Sequence, residues 1–109
     1  MIAAKLFLLQ RISAIALAPL VIGHLIVILV AVQDGLTADE ILARTQGAVG
    51  WMLFYGVFVL AVAVHGAIGL RAILAEWTPL HPRAVDGVAA VWLLVAVALG
   101  LRAVIAVTG

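Results

Sequence analysis

Residues 63–77 read AVHGAIGLRAILAEW, and the histidine near the start of this stretch decides how the chain is read. His65 stands inside an apolar segment, with Gly66 and Gly69 close behind it. Arg71 and then Glu76-Trp77 mark where the segment leaves the apolar phase. Working back from His65, no charged side chain occurs until Arg44, so residues 49–70 form one uninterrupted apolar run with a helical extension through Leu74. Two further runs match it. Residues 12–32 carry only Ser13 and His24 as polar side chains, and residues 87–107 are interrupted only by Arg102. Each has roughly the 20 residues that cross a ~30 Å hydrocarbon core at about 1.5 Å per residue. Backbone polar groups in lipid must be satisfied within the segment, so these runs are helices, at about 12–32, 49–74 and 87–107.

The composition agrees. Of 109 residues, 68% are hydrophobic and 10% are charged, against about 45–50% and about 25% in soluble domains. This predicts an all-α integral membrane protein with three transmembrane helices in a single domain, residues 1–109. A net charge of +1 without a basic run gives no reason to expect nucleic acid as a partner. The absence of cysteine excludes disulfides, thiolate metal sites and cysteine nucleophiles within the chain. Lys5 and Arg11 ahead of an apolar run resemble a signal peptide, but the run exceeds the roughly 7–15 residues of a signal core, so it reads as a retained helix.

The first connection, residues 33–48, is polar, and the second, residues 78–86, is tight. Residues 1–10 read as an interfacial lead-in anchored by Lys5. Pro19 is expected to bend the first helix. Thr37 and Glu40 have capping-box spacing and predict a short surface helix in the first connection. Pro79, His81 and Pro82 stiffen the second connection, which makes the second and third spans antiparallel neighbours. Lys5, Arg11, Arg71 and Arg83 fall on one side and Arg44 and Arg102 on the other, which predicts a cytoplasmic N-terminus. Trp51 and Tyr55 then belong to the outer interface and Trp77 to the inner one.

The spans contain no Asp or Glu. An ion-coupled carrier ordinarily needs an intramembrane carboxylate, so transport is a poor fit, and no Ser–His–Asp set can be assembled at one depth. What remains inside is histidine. Neutral imidazole is an inexpensive metal ligand to place in an apolar environment, and haem iron is its common partner in a helical bundle. The competing explanation is that each histidine only hydrogen-bonds a neighbouring helix. Gly66 and Gly69 beside His65, and Gly23 beside His24, would give a porphyrin room to approach, or would serve close helix packing. Arg71, six residues beyond His65, would reach a propionate or simply mark the helix end. His24 is near the middle of its span and His65 roughly 6–8 Å inward of the middle of its own. Two haems fit that offset better than one haem held by both histidines, though one remains open.

Two motifs carry a family resemblance. LLQRISAIAL, residues 8–17, resembles the Arg-x-[Ser/Thr]-[Gly/Ala] opening of the first helix in the membrane-anchor cytochrome b subunits of succinate dehydrogenase and fumarate reductase. HGAIGLRAILAEW, residues 65–77, resembles that family's His-x-x-x-Gly-[Ile/Leu/Met]-x signature, closed by an acidic residue and an aromatic. The resemblance implies a haem b-binding, non-catalytic subunit of an oxidoreductase complex of the tricarboxylic acid cycle and electron transport. Such an anchor sits in a bacterial or archaeal cytoplasmic membrane. It passes electrons between an iron–sulfur subunit, fed by an FAD flavoprotein subunit, and membrane quinone.

By position, the resemblance makes His65 the axial ligand of an inner haem and His24, in VIGHL at residues 21–25, that of a distal haem as in two-haem members. It implies haem propionate or quinone contacts for Arg11, Ser13 and Arg71, and Arg102 would serve a distal propionate or snorkel to the outer interface. Glu76-Trp77 stand where many members have Asp-Tyr at the quinone pocket. Trp77 departs from that pattern, because an indole donates a hydrogen bond but does not titrate. Phe7 and Gln10 replace Ser and His found in some members. One chain supplies at most one ligand to each of two haems, so the resemblance implies half of a larger anchor bundle, completed by a second copy or a similar subunit. The alternatives are a non-redox membrane scaffold with hydrogen-bonded histidines, or a haem anchor for a different flavin dehydrogenase.

Overall fold

The computed structural model describes residues 2–109. Four helices follow in order: α1 (Ile2–Asp34), α2 (Ala38–Thr45), α3 (Val49–Trp77) and α4 (Pro82–Thr108). The described residues contain no strand. Helices α1, α3 and α4 are each long and apolar enough to cross a membrane, so the chain is an integral membrane protein with three spans. The molecule is a rod 48 Å long and 23 Å wide.

The helix ends are set by local chemistry. Helix α1 already includes Ile2, where an interfacial lead-in is expected, because Ala, Leu, Lys and Gln before Arg11 are good helix formers and nothing interrupts them. It runs on through Pro19 and stops at Gly35, whose φ of 126° lies in the region that L side chains avoid. Helix α2 has the expected box: Glu40 N–H donates to Thr37 Oγ1 at 3.2 Å, and Thr37 N–H donates to Glu40 Oε2 at 3.1 Å. Helix α4 starts at Pro82, five residues before the apolar run that begins at Gly87. Pro82 is suited to a first turn, and the His81 side chain caps it, Nδ1 accepting from Arg83 N–H at 3.2 Å.

Helix α3 lies in the middle, packed against α1 on one side and α4 on the other, while α2 touches α4. Paired contacts give the register. Ser13 meets His65, His24 meets Phe58 and Gly23 meets Phe54, so α1 and α3 are antiparallel. Arg71 meets Asp86, Gly66 meets Trp92 and Gly100 meets Val59, so α3 and α4 are antiparallel as expected. The core is thin and made of small side chains: Ala63, Ala67, Ala89, Val85, Val104 and Ala31. Small residues allow helices in lipid to approach closely, where packing rather than hydrophobic exclusion holds them together. Large apolar side chains such as Ile15, Ile22, Leu29, Leu94 and Ile105 face outward.

This register gathers Lys5, Arg11, Arg71 and Arg83 at one end of the rod. The acidic connection with Asp34, Asp39 and Glu40 lies at the other. Between Arg11 and Asp34, α1 rises about 34 Å without a charge.

Candidate functional site

His65 lies on the face of α3 turned to α1. Its Nδ1 is 3.2 Å from Ser13 Oγ, and Ser13 Oγ–H donates to the Gln10 carbonyl one turn back at 3.0 Å. Ser13 is buried, at 7% exposure, although most of α1 is not. Gln10, Arg11, Ala14, Ile15 and His65 line a cleft of about 310 Å³. Gln10 Oε1 is buried there without a hydrogen-bond partner. Arg11 reaches across the start of this region with its guanidinium 5.7 Å from the Phe7 ring centroid.

His24 lies on the same α1–α3 seam, further from the Lys- and Arg-rich end. Its ring meets Phe58 and Tyr55 edge-on, with centroids 5.2 and 6.2 Å away. Trp51 stacks on Tyr55 at 5.7 Å, so aromatic rings gather at the end of the rod that carries α2. A cavity of about 350 Å³ opens beside His24, walled by Tyr55, Phe58, Gly100 and Val104 and covered by Ile41 and Thr45 of α2. Helix α2 is tied over it: Thr45 Oγ1–H is within hydrogen-bond distance of the carbonyls of Ile41 and Val107, and Gly47 N–H donates to the Thr108 carbonyl at 2.9 Å. Carbonyls at the end of α4, which have no partner within the helix, are satisfied this way.

The two histidines are separated in depth. On α3, His65 is seven residues from Phe58 and ten from Tyr55, the two rings that face His24, an axial offset of about 10–15 Å.

Other expected residues are distributed differently. Arg71 pairs with Asp86, Nε to Oδ1 at 2.7 Å, and lies about 120° around α3 from His65. Arg11, rather than Arg71, shares the cleft with His65. Arg102 is exposed and stands on the opposite side of α4 from Gly100, Ala103, Val104 and Val107, the residues that wall the His24 cavity. Glu76 is exposed, and Trp77 is 82% exposed, so neither enters a pocket made by this chain. Gly66 and Gly23 leave no open room beside the histidines. The Trp92 ring fills the space over Gly66, and the Phe54 ring lies 3.2 Å from where a Gly23 Cβ would stand. Gly69 is different, with only Gln10 Nε2 nearby, at 3.5 Å.

Sequence reasoning missed three features: the Ser13–His65 contact, the unpartnered Gln10 oxygen, and the Tyr55–Phe58 wall beside His24. Only the last had a signal, two aromatics three residues apart on one helical face.

Among the described residues, no three His, Cys, Asp or Glu side chains gather into a metal-ligating group. A bare ion is therefore a poor fit. A macrocycle that brings four nitrogens of its own asks far fewer ligands of the protein, and this chain offers one imidazole at each of two depths. A half-open cleft at each histidine, with an unpartnered polar atom at the inner one, is compatible with a group completed by another subunit.

The chain matches the family described as succinate dehydrogenase/fumarate reductase transmembrane subunit over residues 2–103. Comparison with curated proteins and with solved structures gives no match.

Proposed function

Because the chain belongs to the succinate dehydrogenase/fumarate reductase transmembrane subunit family, we propose that it is a haem b-binding anchor carrying electrons between an iron–sulfur subunit and membrane quinone. The observation that carries this reading is the pair of intramembrane histidines at two depths on one helix seam, each beside a cleft. His65 would hold an inner haem and His24 a distal one. Bound there, haem b supplies a one-electron carrier inside the hydrocarbon layer.

This chain's own part is geometric and electrostatic. Helix α3 presents His65 to the inner cleft, where Ala14 and Ile15 supply an apolar part of the lining. Arg11 is the cation placed to meet an anionic group at that cleft. At the outer site, Tyr55 and Phe58 fix the plane of His24, and α2 closes the cavity toward the outer surface. The N-terminal end, rich in Lys and Arg, faces the cytoplasm. There the exposed Glu76-Trp77 end would border a quinone pocket completed by other subunits, and the iron–sulfur and flavoprotein subunits would dock.

His65 and His24 would each hold a haem together with a second imidazole drawn from outside this chain. The thin core and the outward-facing apolar side chains of α1 support a second anchor chain as its source. The axial offset favours two haems over one.

The test is a pyridine haemochrome assay on the purified complex with H24A and H65A variants. Each is expected to remove a separate part of the b-type signal. An unchanged H24A spectrum would leave one haem, on His65. Absence of any Soret band in the whole complex would overturn the haem reading and leave a non-redox scaffold with hydrogen-bonded histidines.

A further inference from the structure

We propose that Ser13 is a positioning residue that fixes the tautomer of His65, so that Nε2 is the nitrogen offered to iron. The proposal rests on the haem-ligand reading of His65. It starts from two distances: Ser13 Oγ is 3.0 Å from the Gln10 carbonyl and 3.2 Å from His65 Nδ1. A hydroxyl has one proton and two lone pairs. The Gln10 carbonyl can only accept, so that contact takes the proton of Ser13. The oxygen then has only lone pairs left for the imidazole, and His65 Nδ1 must be the donor. A neutral imidazole protonated at Nδ1 is unprotonated at Nε2, the form a metal requires.

The surroundings make this partnership necessary. Within an apolar span, an imidazole N–H without an acceptor is costly. Ser13 is the acceptor the fold supplies, held buried at that position while neighbouring Ile12, Ala14 and Ile15 are exposed. Its back-bond to the preceding turn is a common habit of serine in helices. Here it turns a donor–acceptor hydroxyl into a pure acceptor aimed at another helix. An N–H hydrogen bond of this kind also raises the basicity of the ligating nitrogen, which favours the ferric state. Ser13 thereby acts on the cofactor through His65, without touching it.

The experiment compares wild type, Ser13→Ala, Ser13→Thr and His65→Ala in the purified membrane complex. It reads the midpoint potential of the inner b haem and the rate of haem loss. Ser13→Ala is expected to keep the b-type spectrum, raise the midpoint potential and speed haem loss, roughly tenfold or more. Ser13→Thr keeps a hydroxyl able to make the same back-bond and is expected to restore both quantities. Wild-type potential and loss rate in Ser13→Ala would overturn the proposal while leaving the haem reading intact. Equal shifts in Ser13→Ala and Ser13→Thr would assign the effect to packing and overturn it as well. A full b-type signal in His65→Ala would instead overturn the haem assignment of His65 itself. Should Ser13→Ala fail to assemble, Ser13→Cys, nearly isosteric but a weak acceptor, takes the same test.

Discussion

Gly66 and Gly69 are a matched pair on which packing and cofactor room can be told apart. A Cβ added at Gly66 would stand 2.7 Å from Trp92 Cζ3 and 3.0 Å from Cζ2, with Cη2 nearer still. Non-bonded carbons rest at about 3.5–4.0 Å, so the indole must withdraw by about 1 Å or more. Trp92 is half-buried, and its ring can withdraw only by giving up its contact with α3 at Gly66. Overpacking of this kind costs about 1–3 kcal/mol, roughly a 5- to 150-fold change in the folding equilibrium. At Gly69 the nearest atom is the flexible end of Gln10 at 3.5 Å, an ordinary contact. Gly69→Ala should therefore leave the helix packing unchanged. Measured by denaturant titration in detergent, Gly66→Ala should be destabilised and Gly69→Ala should not. A Gly66→Ala/Trp92→Leu double variant should recover part of the loss, because the two residues are in direct contact and their effects should not add. A Gly66→Ala protein as stable as wild type, or additivity in the double variant, would refute close packing at Gly66. Haem content adds a second axis: if a porphyrin edge rests over Gly69, Gly69→Ala lowers haem occupancy without lowering stability.

Three further outcomes follow from the same contacts. Thr45→Val removes the hydroxyl linking α2 to the end of α4 and should cost about 1 kcal/mol, read as faster amide exchange in α2 with α3 unaffected. Thr37→Ala breaks the capping box of α2 and should cost a similar ~1 kcal/mol, seen as a loss of helical signal at residues 38–45. Asp86→Asn breaks the half-exposed pair with Arg71 and should change stability by less than about 1 kcal/mol; a larger loss in a thermal melt would mean the pair is shielded from water in the assembled complex.

The spans, the capping box and the antiparallel turn were legible because each rests on local chemistry: a charge-free length, a Thr–Glu spacing, prolines around His81. The reach of α1 back to Ile2 and the start of α4 at Pro82 were less so. The sequence marks where charge ends, whereas helices continue through charged residues until a breaker or a cap stops them. The site was legible only at its histidines. Which side chain reaches His65 depends on the register between α1 and α3, set by packing over 52 residues of separation, and no local pattern encodes it. The glycines misled for a similar reason. Gly66 has room on its own helix, and only the placement of α4 shows that Trp92 occupies it. Arg71 stands about one and two-thirds turns beyond His65, but the Asp86 carboxylate that claims it lies across the following turn.

The walls of the two clefts draw on different amounts of chain. The inner one is complete once α1 and α3 lie side by side, since Gln10, Ser13 and His65 all precede residue 78. The outer one needs Gly100, Val104 and Val107, and its cover is tied down by the Val107 and Thr108 carbonyls. At about 5–20 residues per second of synthesis, roughly 2–6 s separate the two events. During biogenesis the walls of the His65 cleft are the first to be available. The outer pocket comes into being only with the last turn of the last helix, so the order in which the sites mature is written into the order of the chain.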